Sequence, residues 1–257
     1  PISAAASGAP PTLRMQVELR DASLADLLVL ASGAERQIHG VLDLRAVLEG
    51  EPAALRASGA VRFYDLHRWD LLPSDARSAF DLRFEALLDA PARRLRLSRL
   101  EAALGAGQLE GAGEVAHLPD RPSYHFEFRF SGARAATVLG AARHFASRPP
   151  RTLRLGGTLS GELAVHGPPL VLGGFVTGRD LDLQDAALPR LRAPEARAEI
   201  AGTALKLQPV LLELGRGQNL TLAAEWDWDK GHGEFSVAGR DLPLRGLIPL
   251  LDVAGFN

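Results

Sequence analysis

Cysteine is absent from this chain of 257 residues. Disulfides and thiolate chemistry are therefore excluded, and oxidising and reducing compartments both stay open. Long apolar runs are absent too, since the apolar stretch Leu24–Ala31 falls far short of the roughly 18 to 20 residues that a bilayer-spanning helix needs. The sequence thus predicts no membrane-spanning segment within these residues.

An excess of positive charge is also missing, because 29 basic residues stand against 31 acidic ones and the net charge is −2. Arginines are interleaved with Asp and Glu, whereas a nucleic-acid surface requires a basic patch or stripe. Nucleic acid is therefore not an expected partner. The densest basic cluster is Arg93, Arg94 and Arg96, for which contact with lipid phosphates is a secondary hypothesis.

Motifs for catalysis, metals and cofactors are missing as well. The chain has no Gly-x-Ser-x-Gly, His-Glu-x-x-His or Gly-x-x-x-x-Gly-Lys sequence. Its seven histidines are scattered, and Asp180, Asp182 and Asp185 lack the glycine and distal glutamate of a calcium loop. The sequence therefore predicts no catalytic residue, no metal site and no cofactor, with a glycan hydrolase that uses a carboxylate pair as the remaining enzymatic alternative.

What the chain does contain is alternation of apolar and polar residues with a period of two. Such alternation is typical of strands with one apolar and one solvated face. It runs through Leu13–Arg20 and His125–Phe130 and recurs in the following segments: Leu42–Leu48, Leu55–Phe63, Leu95–Leu100, Leu163–Val165, Leu205–Leu214, Leu220–Trp228 and Phe235–Val237. A further strand, Leu170–Thr177, is predicted after the turn of Gly167, Pro168 and Pro169. Trp226 and Trp228 are predicted to share a face, and the glycines Gly105 to Gly113 are predicted to mark strand bends or close packing.

Parts of the chain repeat. The hexapeptide at Gly40–Arg45 resembles the one at Gly157–Glu162, 117 residues later, and a strand leading into a short helix is predicted at Arg20, at Gly132–Ala146 and at Arg240. The segment that begins at Arg179 starts with the same residues, but no helix is predicted after it. The predicted organisation has four parts: residues 1–11 as a flexible linker or cut end, 12–37 as the end of a preceding unit, 38–147 as unit one and 153–257 as unit two, joined by residues 148–151 with their paired prolines.

About fourteen strands and three short helices follow from this pattern, and three helices cannot cover so many strands. The apolar faces must meet in a sandwich, curl around a packed interior, or line a groove that something else occupies. A groove extended by adding units would offer acyl chains a dry path, at about 0.8 kcal/mol per buried methylene.

Several segments resemble the AsmA-like family of bacterial envelope proteins, relatives of the bridge-like lipid transfer proteins. The resemblance is carried by these segments: LRDASLADLL at Leu19–Leu28, LGGTLSGELAVHGPPL at Leu155–Leu170, APEARAEIAG at Ala193–Gly202, LKLQPV at Leu205–Val210, LELGRG at Leu212–Gly217 and VAGRDLPL at Val237–Leu244. It implies an elongated, curled sheet in the periplasm that binds or conducts phospholipid, with an inner-membrane anchor outside these residues and a role in outer-membrane biogenesis. Phospholipid, the membrane and other envelope proteins are the partners that it implies.

The expected fold is therefore all-β with a few short helices, a repeat-built, curled antiparallel sheet that forms an elongated apolar groove. The expected function is passive, non-enzymatic binding or conduction of lipid, and the alternative is a structural scaffolding module with a closed core. The residues predicted to bind lipid are Leu42, Leu44, Leu48, Phe63, Phe126, Phe128, Phe130, Leu163, Val165, Leu220, Leu222, Trp226, Phe235 and Val237.

Overall fold

The computed structural model describes residues 12–32, 37–68, 79–119, 121–145, 152–185, 190–215, 218–227 and 229–239. Within them the chain forms thirteen strands and two helices. In chain order these are β1 (Leu13–Ser23), α1 (Leu24–Ser32), β2 (Ile38–Glu51), β3 (Ala54–Arg68), β4 (Ala79–Asp89), β5 (Arg94–Leu104), β6 (Gly107–Ala116), β7 (Ser123–Arg134), α2 (Ala135–Phe145), β8 (Arg154–Gly167), β9 (Val171–Gln184), β10 (Leu191–Gly202), β11 (Ala204–Gly215), β12 (Gln218–Asp227) and β13 (His232–Gly239).

All thirteen strands belong to one sheet, in the order of the sequence. Every strand pairs antiparallel with the next one along the chain. Each predicted strand segment lies in one of these strands, apart from Leu170, which lies in the turn before β9, and Trp228, which lies outside the described residues. The described part of the chain thus holds thirteen strands where the sequence pattern suggested about fourteen for the whole.

Both described helices begin where the sequence predicts. The Asp26 N–H donates to Ser23 Oγ at 3.3 Å, so Ser23 caps the first turn of α1. Helix α2 follows β7 directly and lies within the predicted segment Gly132–Ala146. After Arg179 the chain continues as strand β9, and the helix predicted after Arg240 lies outside the described residues.

The strand register sorts the side chains onto two faces, because residues directly opposite each other in neighbouring strands share a face. Leu44 faces Leu19 on β1 and Val61 on β3, whereas Arg45 faces Glu18 and Ala60. Continued strand by strand, this pairing defines an apolar face that contains Leu44 and a polar face that contains Arg45. Both faces run across all thirteen strands.

The described sheet is open and curled. Strands β1 and β13 are its two edges and do not pair with each other. Helix α2 contacts β7 and β8 beside it and also β3, although three strands separate β3 from β7, so the sheet curls toward the helix. In the described residues these elements form a single layer, and the closed sandwich considered from the sequence is not their architecture.

Bulges with a common geometry interrupt the strands near the end of the sheet where β1 and β7 lead into helices, here called the helix end. Asp21 on β1 and Gly132 on β7 both have positive φ, 49° and 62°. The Asp21 N–H donates to Asp43 Oδ1 at 2.9 Å, and the Gly132 N–H donates to Ser160 Oγ at 3.1 Å. Asp43 and Ser160 occupy equivalent positions in the hexapeptides 117 residues apart, so the sequence repeat has a structural counterpart. The proposed unit boundaries stay a prediction.

Candidate functional site

The apolar face brings all fourteen predicted residues onto one side of the sheet. Direct pairs connect several of them, among which are Leu42 with Phe63, Phe128 with Leu163, and Leu222 with Val237. The apolar row continues between these pairs through residues of β4 to β6 and β9 to β11 that the sequence analysis did not single out. Phe84 and Ile200 belong to this set.

Burial differs along the apolar face. Leu42, Phe130 and Leu220 are only 6, 9 and 1% exposed, whereas Phe235 and Val237 are 39 and 36% exposed, since β13 is an edge of the sheet that the described residues form. The other nine predicted residues are half-buried. Most of the face therefore keeps some accessible apolar surface.

The best-buried residues gather at the helix end of the sheet. Ala133 and Ala135, at the junction of β7 and α2, are completely buried. Leu191, Ala193 and Val210 are each 4% exposed, and they too lie near the helix end of their strands. Sequence alternation alone gave no sign of this gradient, because it assigns a side chain to a face and not to a position along the strand.

Aromatic rings of β7 lie over glycines of β6. Phe126 pairs with Gly113, and Phe128 pairs with Gly111. A methyl group added at Gly111 would lie 2.8 Å from Cδ1 of Phe128, and one added at Gly113 would collide with the ring of Phe126. The two rings stack on each other with centroids 6.2 Å apart. The glycine-rich stretch is thus confirmed as a site of close packing.

The polar face is covered by ion pairs between neighbouring strands. Arg62 Nε lies 2.5 Å from Asp81 Oδ1, and Arg129 Nη2 lies 2.9 Å from Glu162 Oε1. The Arg62 guanidinium lowers the pKa of the Asp81 carboxyl below its ordinary value through this hydrogen bond. Since these pairs are exposed to solvent and screened by it, each adds little to stability. Their main effect is to keep this face solvated.

Three open clefts that the structure describes lie over the polar face. The largest, about 720 Å³, spans β5 to β9 and is lined by carboxylates of which Glu127 and Glu162 are two. The side chains of these two are 74 and 50% exposed, and Arg129 bonds Glu162. A glycosidase acid needs a carboxyl shielded from water, so this arrangement differs from a hydrolytic carboxylate pair. Ionic linings of this kind do not suit a hydrocarbon chain either.

The remaining candidate groups also lie away from the apolar face. Arg94 and Arg96 are on the polar side of β5, and Arg94 lies 3.7 Å from Glu114. His125 and His166, paired across β7 and β8 with Nδ1 atoms 2.6 Å apart, are on the polar side as well. Among the described residues, no group of three or more His, Cys, Asp or Glu side chains could hold a metal ion.

The structure contains no membrane-length apolar helix in the part of the chain that it describes. Comparison with protein-family models, with curated proteins and with solved structures finds no match for this chain. The AsmA-like resemblance is therefore carried by the sequence segments alone and stays a prediction.

Proposed function

We propose that this chain binds lipid acyl chains along the apolar face. The observation that carries the proposal is the continuity of that face across thirteen strands of a single open layer. An open sheet with one apolar side needs a second hydrophobic body to complete it, because apolar surface left in water costs about 25 cal/mol per Å². In the described residues, no second sheet supplies that body.

Lipid tails suit this surface on energetic grounds. Each methylene transferred from water to an apolar surface contributes about 0.8 kcal/mol, so about ten methylenes contribute about 8 kcal/mol before the cost of association is subtracted. Because association itself costs at least about 4 kcal/mol, stable binding requires that an acyl chain bury most of its methylenes on this face. No specific polar contact is required, and the head group remains in water. Binding is then non-covalent and tolerant of lipid type.

The wider biological setting belongs to the proposal too. In line with the AsmA-like resemblance, we place the chain in the periplasm, as part of an envelope protein that is anchored in the inner membrane by segments outside these residues. Its partners are phospholipid and other envelope proteins, and it performs no covalent chemistry. Several such sheets in series would form a longer path for lipid.

The first experiment asks whether lipid accompanies the protein. Purified chain is extracted with organic solvent and analysed by mass spectrometry, and we expect phospholipid in stoichiometric amount. Lipid-free protein would contradict the proposal and favour the scaffolding alternative.

The second experiment uses variants matched on neighbouring residues. Leu163 lies on the apolar face of β8, and Ala164 beside it lies on the polar face. Leu163→Glu and Phe128→Asp should lower lipid uptake strongly because they place a charge in the apolar row, whereas Ala164→Glu should leave uptake unchanged. Circular dichroism checks that each variant is folded. Equal uptake by all three folded variants would show that lipid binds elsewhere.

A further inference from the structure

Two histidines that are 41 residues apart in the sequence meet on the polar face. His125 on β7 lies directly opposite His166 on β8, and both are half-buried. Their Nδ1 atoms are 2.6 Å apart, and the ring centroids are 4.4 Å apart with 41° between the ring planes. The two rings therefore approach each other through their Nδ1 edges, so that a single metal ion placed there would contact both.

A carboxylate orients the first of these rings. His125 Nε2 lies 3.2 Å from Oε1 of Glu127, two residues along on the same face of β7. Since an ionised carboxylate only accepts hydrogen bonds, Nε2 carries the proton, and in the neutral imidazole Nδ1 is then the atom with the available lone pair. A carboxylate behind a histidine ligand also raises the basicity of the ligating nitrogen. His125 is thus held in the form that presents Nδ1 to a metal.

The second ring is prepared for binding by the shift of one proton. With Nδ1 of His125 unprotonated, the contact at 2.6 Å is a hydrogen bond that the Nδ1–H of His166 donates. When a metal binds, that proton moves through water to Nε2 of the same ring, and both Nδ1 lone pairs then point at the ion. His166 remains a neutral imidazole throughout, which is the form that metals bind.

The spacing of the two nitrogens favours copper(II). With metal–nitrogen bonds of about 2.0 to 2.1 Å, two ligands at the right angle of a tetragonal site are about 2.9 Å apart, and two at a tetrahedral angle are about 3.3 Å apart. From 2.6 Å the nitrogens must separate by about 0.3 Å for the tetragonal geometry and by about 0.7 Å for the tetrahedral one. Copper(II) prefers the tetragonal geometry, and it also has the highest affinity for nitrogen sites among the divalent first-row metals.

The charges around the histidines suit a cation. Glu114 on β6 faces His125, so that two carboxylates, Glu114 and Glu127, lie next to this ring. Arg94 lies 3.7 Å from Glu114, and Arg96 faces it from β5, so these two arginines offset part of its charge. The carboxylate of Glu127 keeps its contact with the ring.

We propose that His125 and His166 bind one copper(II) ion through their Nδ1 atoms, with water in the remaining positions. The described residues supply two protein ligands here and no group of three or more, so the ion is bound reversibly. Scattered histidines gave no sign of this site in the sequence, because only the register of β7 with β8 brings these two together. The site lies on the face opposite the apolar row, and the inference does not depend on lipid binding.

A second pair of facing histidines lacks this geometry. His39 on β2 faces His67 on β3, but their rings stack with centroids 5.9 Å apart and 24° between the planes. The Nδ1–H of His67 donates to the carbonyl oxygen of Asp65 at 2.5 Å, so this nitrogen is turned away from a shared ion. His67→Gln is therefore a matched control, because it removes a cross-strand histidine and leaves the proposed site intact.

Titration of the purified chain with copper(II) chloride tests the proposal. We expect one ion per chain and an electron paramagnetic resonance spectrum with coupling to two nitrogens. His125→Gln and His166→Gln should each lower the affinity at least about tenfold, and Glu127→Ala should lower it about tenfold because the supporting carboxylate is lost. The affinity of His67→Gln should equal that of the unchanged chain. Circular dichroism checks that each variant is folded.

Four results would overturn the proposal. The unchanged chain binds no copper(II), or its spectrum shows fewer than two nitrogen ligands. Folded His125→Gln or His166→Gln binds as tightly as the unchanged chain, which would place the ion elsewhere. Zinc(II) chloride, titrated in the same way, binds more tightly than copper(II), which would contradict the tetragonal geometry.

Discussion

The contact between Gly111 and the Phe128 ring can be tested by adding a single methyl group. Gly111 has ordinary strand geometry, so alanine there meets no backbone strain. Its new Cβ would lie 2.8 Å from Phe128 Cδ1 and 3.1 Å from the Glu127 carbonyl oxygen, well inside the roughly 3.5 to 4.0 Å at which carbon atoms pack best. The ring must therefore move away from β6.

Gly173 on β9 supplies a matched comparison. It also has ordinary strand geometry, but the nearest atom to an added Cβ is the Ile200 carbonyl oxygen at 4.0 Å. Replacing a glycine by alanine where space allows stabilises a protein by about 0.4 to 1 kcal/mol through the unfolded state. Overpacking costs about 1 to 3 kcal/mol. We expect Gly173→Ala to be stabilising and Gly111→Ala to be destabilising by about 1 kcal/mol, the net of these two effects.

The assay is urea unfolding followed by circular dichroism, with the midpoints of both variants compared with the unchanged chain. A third measurement places Gly111→Ala in a Phe128→Ala background, where only the contact with the Glu127 carbonyl oxygen remains and the alanine should cost clearly less than it does beside the ring. Two results would show that the packing of Phe128 on β6 has been misjudged. One is that Gly111→Ala stabilises the chain as much as Gly173→Ala does. The other is that Gly111→Ala lowers the free energy of unfolding equally with and without the Phe128 ring.

Three further predictions concern other parts of the sheet. A hydrogen bond from Arg190 lowers the pKa of Asp182 to about 2. The stabilisation that this pair gives the folded state is therefore complete above about pH 4 and is lost as the pH falls toward 2. Between about pH 4 and about pH 2 the melting temperature of Asp182→Asn should fall less than that of the unchanged chain. Ser160→Ala removes the acceptor of a bulge N–H and should cost about 1 kcal/mol in urea unfolding, and no change would show that water replaces it. Leu220→Ala should cost about 2 to 5 kcal/mol because the side chain is 1% exposed, whereas Leu205→Ala, at a position 37% exposed, should cost much less; similar values would refute the burial gradient.

Much of the sheet could be predicted from the alternation of its residues. Leu13–Arg20 and His125–Phe130 lie in strands because a period of two puts their apolar residues on one side and their charges on the other. Ser23 could also be predicted to cap a helix, because Asp26 follows it three residues later, the spacing of a first helical turn. Local rules of this kind act within a few residues, and they need no knowledge of the partner strand.

Other features could not be read locally. The glycines at Gly111 and Gly113 looked like bends or packing sites, and only the register with β7 shows which rings they accommodate. The bulges at Asp21 and Gly132 depend on acceptors 22 and 28 residues further along the chain. The burial of Leu220 in contrast to the exposure of Phe235 depends on how many neighbours each strand has among the described residues.

The sequence by itself determined that this chain makes strands with one apolar and one charged side, because side-chain direction alternates along any extended backbone. Only the tertiary structure decided that the thirteen described strands stay in one open layer and that the best-packed residues gather at the helix end. These properties depend on register, curl and neighbours. They arise from contacts between residues far apart in the chain, which no local pattern specifies.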